Sequence, residues 1–354
     1  MGAVYGTAII LAPTIIAGCA LLLSLGFTGA ALAYARRRGL LDQPGKRRSH
    51  TQPTPRGGGI GVVAAILLAG VPAWCLLERA LWWPQPTALA AAVLAVALIG
   101  WRDDHAALPV VPRLLVHIGA ALLIGLAAVA PWASRHPSLW WILLPLVPVL
   151  IGFINAHNFM DGIDGILGQQ GLFVMLGYGA LCVWLGHVGL ASLAFVAAAG
   201  CLGFLVFNWP PARIFMGDVG SGALGLTIGA VATFLVQRNP AMLWACAILP
   251  SAFLVDSGLT LARRMLSGQR WYAPHRQHLY QWLVRVNWSH ARTDVAYMIW
   301  NLAVVAPLSW LAARQPAHGD WYFGIAYAAA AAVWFAGKRA CLSNARRFAP
   351  HENA

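Results

Sequence analysis

Long apolar stretches recur along the whole chain, and this recurrence restricts the fold more than any other sequence feature. A helix needs about 20 apolar residues to cross the roughly 30 Å hydrocarbon core of a bilayer. The residues are 60% hydrophobic and 10% charged, and the mean hydropathy of +0.67 lies outside the range of soluble globular proteins. We therefore predict an all-α, polytopic membrane bundle that forms a single domain over residues 1–354.

The predicted spans are the apolar stretches between polar punctuation, and we expect about eleven of them. Pro250 is a candidate kink within the ninth. The first is not expected to be a cleaved signal peptide, because the basic residues follow its apolar stretch instead of preceding it. The expected spans lie near residues 7–34, 58–77, 87–101, 114–130, 139–155, 166–185, 190–207, 222–236, 242–262, 295–313 and 321–337.

The distribution of basic residues predicts the orientation. If the spans alternate in direction, the loops on the side of Met1 contain only four of the 24 Lys and Arg residues, namely Arg79, Arg135, Arg238 and Arg314. Basic residues are enriched in cytoplasmic loops. We therefore expect a bacterial inner-membrane protein with a periplasmic N-terminus and a cytoplasmic C-terminus. The expected cytoplasmic loops are residues 36–57, 102–113, 156–165, 208–221 and 263–294.

The net charge of +13 does not indicate nucleic-acid binding, because the basic residues lie in short loops and form no basic domain. Topology and anionic lipid headgroups account for most of this charge. The six cysteines are scattered and show no C-x-x-C spacing, which indicates neither disulfides nor a zinc site.

The acidic residues are few, and most are expected on the cytoplasmic side. Segments that follow alternate spans emerge on one face and therefore lie where they can share a site. Ionisable groups at the ends of spans are costly and tend to mark function. Ordinary helix capping is the structural alternative for any single aspartate. The segments are Asp42–Gly59, R-D-D-H at 102–105, N-A-H-N-F-M-D-G-I-D-G at 155–165, F-M-G-D-V-G-S at 215–221, and Asp256 with the loop to His290.

The paired carboxylates predict a divalent cation. Asp103 and Asp104 are adjacent, and like charges this close repel unless a proton or a cation intervenes. Asp161 and Asp164 would share one face if a helix begins at this point. Carboxylate and amide oxygens suit Mg²⁺ or Mn²⁺, and we expect Mg²⁺.

The polar loops also contain candidate phosphate-binding groups. Gly217, Gly220 and Gly222 mark a turn into a span, where free backbone N–H groups would favour phosphate. A small-residue turn for close packing is the alternative interpretation. Arginines and histidines in the loop 263–292 are candidate donors to a diphosphate, although its aromatic residues are more typical of an interfacial belt.

Four of these motifs together resemble the polyprenyl-phosphate N-acetylhexosamine-1-phosphate transferases. The motifs are Asp103–Asp104, N-A-H-N-F-M-D-G-I-D-G, I-F-M-G-D-V-G-S at 214–221, and A-P-H-R-Q-H-L-Y-Q at 273–281. The resemblance implies a helical bundle of ten or eleven spans with a cytoplasmic cleft. It also implies Mg²⁺-dependent transfer of a sugar 1-phosphate from a UDP-N-acetyl sugar to undecaprenyl phosphate, and a homodimer is a further expectation.

The resemblance also implies roles for individual residues. Asn158 and Asp218 match the family's metal ligands. The residues expected at the catalytic centre are Asp103, Asp104, Asp161, Asp164 and His278. Those expected to bind substrate are Arg48, His50, Asn155, His275 and Arg276.

Three features depart from the commoner family pattern. Tyr280 and Gln281 stand where many members have further histidines, His275 stands where an aspartate often precedes the arginine, and Arg113 stands where some have a lysine. The branch that initiates O-antigen synthesis is similar in these respects, which leaves the sugar open. Two other functions were considered from the residues alone. A cation-coupled transporter would place acids near the middle of its spans, and a lipid-phosphate phosphatase would not need the UDP-sugar motifs.

Overall fold

The structure is a computed structural model that describes residues 2–43, 53–78, 84–270 and 275–348, with side chains described from residue 15 to residue 343 of these ranges. Arg48 and His50, two of the expected substrate-binding residues, lie outside the described residues.

Fifteen α-helices make up almost all of the described chain. In chain order they are α1 (Gly2–Arg38), α2 (Ile60–Ala65), α3 (Val71–Leu77), α4 (Pro84–His105), α5 (Val110–Ala133), α6 (Leu143–Met160), α7 (Ile166–Trp184), α8 (Val188–Asn208), α9 (Asp218–Arg238), α10 (Leu243–Ile248), α11 (Ser251–Leu266), α12 (Leu279–Arg285), α13 (His290–Trp300), α14 (Ala306–Arg314) and α15 (Gly319–Phe348).

Several of these helices join end to end into membrane spans. Within the described ranges, nine stretches are long and apolar enough to cross a bilayer, and α10 with α11 forms a tenth if it is counted as one bent span. The prediction of an all-α polytopic membrane bundle is therefore confirmed. The segment expected as the eleventh span is helical in α15, but it is not among these ten.

The ninth expected span is broken where the sequence predicts a kink. Helices α10 and α11 meet at 70°, and Pro250 directly precedes α11. Proline has no backbone N–H, and its ring clashes with the preceding helical turn. Because of this bend, α11 turns away from the direction of α10.

Helix α9 lies at the centre of the bundle, with 83% of its most apolar stretch buried. Its neighbours approach closely because small residues stand at the contacts. A Cβ on Gly100 of α4 would overlap the backbone of Asp218, and one on Gly225 of α9 would lie 2.6 Å from the carbonyl oxygen of Phe153 in α6.

The two ends of α9 carry different polar groups. Arg238 in its last turn forms an ion pair with Glu78 at 3.0 Å. Asp218 begins the helix, about 30 Å away at 1.5 Å per residue. Sequence alternation predicts that Glu78 and Arg238 share one side of the membrane, and their contact agrees with that prediction.

A short backbone ladder fixes the loop before α2 beside the start of α9. Strand β1 (Leu41–Asp42) pairs antiparallel with β2 (Thr54–Pro55). The next residues run along the chain before α9, where Gly58 N–H donates to Phe215 O and Gly59 N–H to Met216 O, both at 2.9 Å. This ladder brings the first polar loop to the same end of the bundle as Asp218.

Candidate active site

The polar segments that the sequence singles out meet at one end of the bundle. Asp104 ends α4, Asn158 and Asp161 lie at and beyond the end of α6, and Asp218 begins α9. Hydrogen bonds connect α4 to α9 and α6 to α9. Three of the five predicted segments, those at the ends of α4 and α6 and at the start of α9, therefore lie in contact.

Asp104 caps helix α9 from outside that helix. Its Oδ1 accepts a hydrogen bond from the backbone N–H of Asp218, and its Oδ2 accepts one from Val219, both at 3.1 Å. Arg56 lies on its other side, with Nε 4.0 Å from Oδ1. The carboxylate is only 5% exposed, and both oxygens accept backbone hydrogen bonds. Asp104 therefore acts here as a positioning group for α9.

The expectation that the glycine turn before α9 cradles phosphate is wrong. The N–H groups of Asp218 and Val219 donate to Asp104, and those of Gly220 and Ser221 donate to Gly217 O. The start of α9 is thus already satisfied. Gly220 instead packs against Gly59, where a Cβ would come 2.5 Å from the neighbouring Cα. The alternative interpretation, a small-residue turn for packing, is the correct one.

Arg113 connects Asp103 to Asp218. Its guanidinium lies 2.6 Å from the Asp103 carboxylate and 3.5 Å from that of Asp218, while Leu108 N–H donates to Asp103 at 2.6 Å. Protein groups therefore separate and neutralise the adjacent pair Asp103 and Asp104. Asp103 and Asp104 by themselves therefore do not require a divalent cation.

Asn158 and Asp218 do lie together, as expected for two ligands of one ion. Asn158 Nδ2 donates to Asp218 Oδ1 at 2.8 Å and to Ser221 Oγ at 2.9 Å. Within the described residues, no three His, Cys, Asp or Glu side chains form a complete metal cage. Mg²⁺ does not need one, because it keeps several waters and binds one or two carboxylates together with substrate phosphates.

Asp161 adds a concentration of negative charge at this point. Burial, and then the nearby carboxylates of Asp218 and Asp104, raise the pKa of Asp161 to about 8, although the Gly217 N–H donates to it. When neighbouring negative charges hold a carboxyl group protonated, a bound cation would displace that proton. The oxygen-rich donor set of Asn158, Asp161 and Asp218 thus fits Mg²⁺.

Asp164 faces a different set of groups. Its Oδ2 accepts from the backbone N–H of Ala212 at 3.0 Å, and its Oδ1 lies 3.2 Å from Nδ1 of His290. Helix α7 begins only at Ile166, so Asp161 and Asp164 occupy a non-helical turn. The expectation that their spacing places them on one helix face is wrong.

His278 is held at the start of α12 by a buried network around Asp256. Asp256 accepts hydrogen bonds from the N–H of Leu279 at 2.9 Å and from Tyr297 and Trp334 at 3.0 Å each. His278 Nδ1 lies 3.7 Å from Asp256. Asp256, the aspartate with which a transport pathway would be most compatible by sequence, is thus fully engaged in joining helices, which argues against such a pathway through it.

His275 and Arg276 line a basic cavity beside His278, whose ring centroid lies 5.0 Å from that of His275. Asn155 is half-buried one turn before Asn158 on α6. The ring of His278 stacks with Phe159, the residue after Asn158, at 6.4 Å. The expected substrate-binding residues that the structure describes therefore lie beside or near the carboxylate cluster.

Three residues at this site have no role in the sequence prediction, and Arg56 and Arg113 are two of them, which pair with the carboxylates. His290, a candidate donor in the loop 263–292, pairs with Asp164. Tyr280 donates to Phe159 O at 3.0 Å, and its ring occupies the space where a Cβ of Gly162 would lie. The signal for Arg113 was its place in the family pattern, where some members have a lysine. Gly162 leaves space for the Tyr280 side chain, but the sequence alone does not show which residue fills that space.

Comparison with known proteins agrees with this geometry. The family model Glycosyl transferase family 4 matches residues 86–236, which include the carboxylate cluster. A probable undecaprenyl-phosphate N-acetylglucosaminyl 1-phosphate transferase of Bacillus subtilis is 29% identical over 295 residues, 79% of each chain. A decaprenyl-phosphate N-acetylglucosaminephosphotransferase of Mycolicibacterium smegmatis is 32% identical over 317 residues, 77% of this chain and 75% of the relative.

A third relative comes from another branch. A phospho-N-acetylmuramoyl-pentapeptide-transferase of Moorella thermoacetica is 33% identical over 253 residues, 64% of this chain and 76% of the relative. Homology therefore extends well beyond the matched family segment. The chain belongs to glycosyl transferase family 4, among the polyprenyl-phosphate N-acetylhexosamine-1-phosphate transferases.

Proposed function

We propose that this protein transfers an N-acetylhexosamine 1-phosphate from a UDP-activated sugar to undecaprenyl phosphate, releasing uridine monophosphate. The observation that carries the proposal is the meeting of Asp103, Asn158, Asp161 and Asp218 at one end of a membrane bundle. Relatives whose names specify polyprenyl-phosphate acceptors and N-acetylglucosamine support it. UDP-N-acetylglucosamine is accordingly the first donor to test.

The reaction is a phosphoryl transfer between two phosphate groups. An oxygen of the lipid phosphate forms a bond to the sugar-bearing β-phosphorus, and the bond from that phosphorus to the bridging oxygen breaks. Uridine monophosphate leaves with the bridging oxygen. A phosphate monoester is largely dianionic at neutral pH because its second pKa is about 6, so the attacking oxygen needs little help from a base. Positioning and charge neutralisation are the main requirements.

Residues of the cluster meet these requirements in different ways. Asn158 and Asp218, with Asp161 beside them, would hold Mg²⁺, which supplies charge neutralisation on the diphosphate when bound. Arg113 holds Asp103 and Asp218 in place. Asp103 is the better candidate than Asp104 for a position beside the acceptor phosphate, because it pairs with the cationic Arg113, whereas both oxygens of Asp104 accept the backbone N–H groups that begin α9. The ring of His278 stacks with that of Phe159, the residue after Asn158, and from this position His278 would orient the donor.

The location follows from the charge distribution. The carboxylate end of the bundle carries most of the basic residues in short loops, so we propose that it faces the cytoplasm, with the N-terminus in the periplasm of an inner membrane. Initiation of an O-antigen or a related surface polysaccharide is the proposed role, because that branch of the family shares the departures at Tyr280 and Arg113. Assembly as a homodimer is part of the same proposal.

An assay with purified protein tests the activity. The protein in detergent is incubated with undecaprenyl phosphate, Mg²⁺ and a panel of UDP-N-acetyl sugars, and the release of uridine monophosphate and the mass of the lipid product are measured. We expect equimolar uridine monophosphate and a lipid diphosphate sugar with at least one donor. No product with any donor, or product formation unaffected by chelation of Mg²⁺, would overturn the proposal.

A further inference from the structure

A cavity of about 430 Å³ lies between α11, α12 and α15, beside the carboxylate cluster but outside it. The basic side chains around it come from three helices and one loop, and they are Arg263, Arg264, His275, Arg276, Arg285 and Lys338. Among the described residues that line the cavity, none is acidic. The volume lies within the roughly 300–1,000 Å³ range of small-molecule sites. A cavity with this lining attracts an anion.

The positive charges in this cavity repel one another. Burial, and then the positive charge of Arg276, lower the pKa of Arg285. Burial, and then the nearby His278, Arg264 and Lys338, lower the pKa of His275 to about 4, so this ring is neutral at pH 7 and the arginines and Lys338 carry the charge of the cavity. Cations that lower one another's pKa values are stabilised when an anion lies between them.

One buried donor in the cavity has no partner. Arg264 is only 6% exposed, and its two terminal nitrogens donate to Gln269 Oε1 at 3.0 Å and to Arg270 O at 2.6 Å. Its Nε is buried without a hydrogen-bond partner. An unpaired buried donor on a charged group is costly, and a phosphate oxygen would satisfy it.

The surroundings of the cavity indicate where the anion comes from. The two residues after Arg264 are apolar and exposed, with Met265 56% and Leu266 89% accessible. In a chain that spans a bilayer, such residues face lipid. Trp282 lines the cavity, is half-buried and has the Arg285 guanidinium 4.8 Å from its ring centroid, and tryptophan is typical of the membrane interface. The rim of the cavity is therefore at the level of the lipid headgroups.

We propose that this cavity binds the headgroup phosphate of an anionic membrane phospholipid, distinct from the sugar donor and the polyprenyl acceptor. Basic pockets between helices at a membrane face are suited to such headgroups. Arg264 would contact the phosphate from the buried side, and Arg263 and Arg285 would contact it from the exposed side.

Native mass spectrometry of the whole protein in detergent tests the proposal. Phosphatidylglycerol and phosphatidylcholine with identical acyl chains are titrated, and the bound lipid is measured for the wild type and for the double variant Arg263→Gln with Arg285→Gln. Both arginines are exposed, so their replacement spares the core. Arg292→Gln is the matched control, because Arg292 is also exposed but lies on α13, over Trp288.

The wild type is expected to prefer phosphatidylglycerol, and the double variant is expected to bind it at least about tenfold more weakly. A basic residue near anionic lipid contributes about 1 kcal/mol, or roughly fivefold. Arg292→Gln should bind like the wild type, and neither inorganic phosphate nor UDP-N-acetylglucosamine should displace the lipid. Equal binding of the two lipids, or equal loss in the control, would overturn the proposal. Displacement by UDP-N-acetylglucosamine or by undecaprenyl phosphate would overturn it as well, by assigning the cavity to a substrate.

Discussion

Asp104 holds the first backbone N–H of the helix that Asp218 begins, with its Oδ1 3.1 Å from the Asp218 nitrogen. The contact joins the end of α4 to the start of α9, the central helix of the bundle. The Asp218 side chain is thereby directed toward Asn158 and Arg113. Of the adjacent aspartates, Asp104 fixes the start of α9, whereas Asp103 pairs with Arg113 and accepts the backbone N–H of Leu108.

Replacing Asp104 by Asn should destabilise the fold more than replacing Asp103 by Asn. An asparagine at 104 presents an N–H₂ group to one of two backbone N–H donors, and loss of such a buried cap costs about 1–3 kcal/mol. Thermal unfolding in detergent measures the difference. We expect the larger fall in midpoint for Asp104→Asn, and a smaller fall with reduced activity for Asp103→Asn, whose amide oxygen can still accept the Leu108 N–H. The reverse order would contradict the capping role.

Gly217→Ala should disturb the same contact. Gly217 has φ of +75°, and a Cβ there would lie 2.6 Å from Oδ2 of Asp104. Left-handed backbone costs a non-glycine residue about 1–2 kcal/mol even without the clash. The variant should lose both thermal stability and transfer activity.

Gly119→Ala provides the control for that substitution. Gly119 lies in α5, and a Cβ there would meet nothing within 4 Å. Alanine is favoured over glycine within a helix by up to about 1 kcal/mol, so this variant should be as stable as the wild type or more so. If the two variants behave alike, the effect at 217 is not one of space and backbone geometry.

Arg113→Gln should reduce transfer activity by about tenfold or more, because it leaves the Asp103 and Asp218 carboxylates without their shared cation. Arg113→Lys should restore part of the activity, since one ammonium group still neutralises charge but does not bridge both carboxylates as a planar guanidinium does. Initial rates of uridine monophosphate release give the comparison. Arg102→Gln, an exposed neighbour, should remain near the wild-type rate. Full activity in Arg113→Gln would show that the bridge has no part in the reaction.

The raised pKa of Asp161, about 8, predicts a pH dependence in protein without divalent cations. The folded state keeps a proton that the unfolded state releases near pH 4, so stability falls as pH rises from about 4 to about 8 and is then level. Asp161→Asn should make this slope shallower than in the wild type. Unfolding midpoints between pH 5 and pH 9 in a chelating buffer supply the test, and identical slopes for both proteins would contradict the assignment.

The sequence contained enough to predict the bundle and the convergence of its loops. Apolar length gives spans directly, Pro250 predicts the bend before α11, and alternation places Asp104, Asp161 and Asp218 at one end. What pairs with what was less accessible. The paired aspartates indicated a cation, yet Arg113 and the start of α9 neutralise them. Side-chain partners that lie far apart in the chain have no local signature.

The same reason explains the errors about helix position. Asp161 and Asp164 would share a face only if the helix began before them, and α7 begins after both. The glycines at the start of α9 read equally well as a phosphate cradle or as a packing contact, and only the position of Gly59 against Gly220 distinguishes the two.

We propose that Asp218 and Asn158 hold a divalent cation where these loops meet, and the number of Mn²⁺ ions bound per chain tests this proposal. Electron paramagnetic resonance counts bound Mn²⁺ in the purified protein with UDP-N-acetylglucosamine present. We expect one Mn²⁺ per chain in the wild type and loss of that ion in Asp218→Asn and Asn158→Ala. Asp320→Asn should retain it, because Asp320 is exposed at the start of α15. Wild-type binding of Mn²⁺ by Asp218→Asn would contradict the proposal.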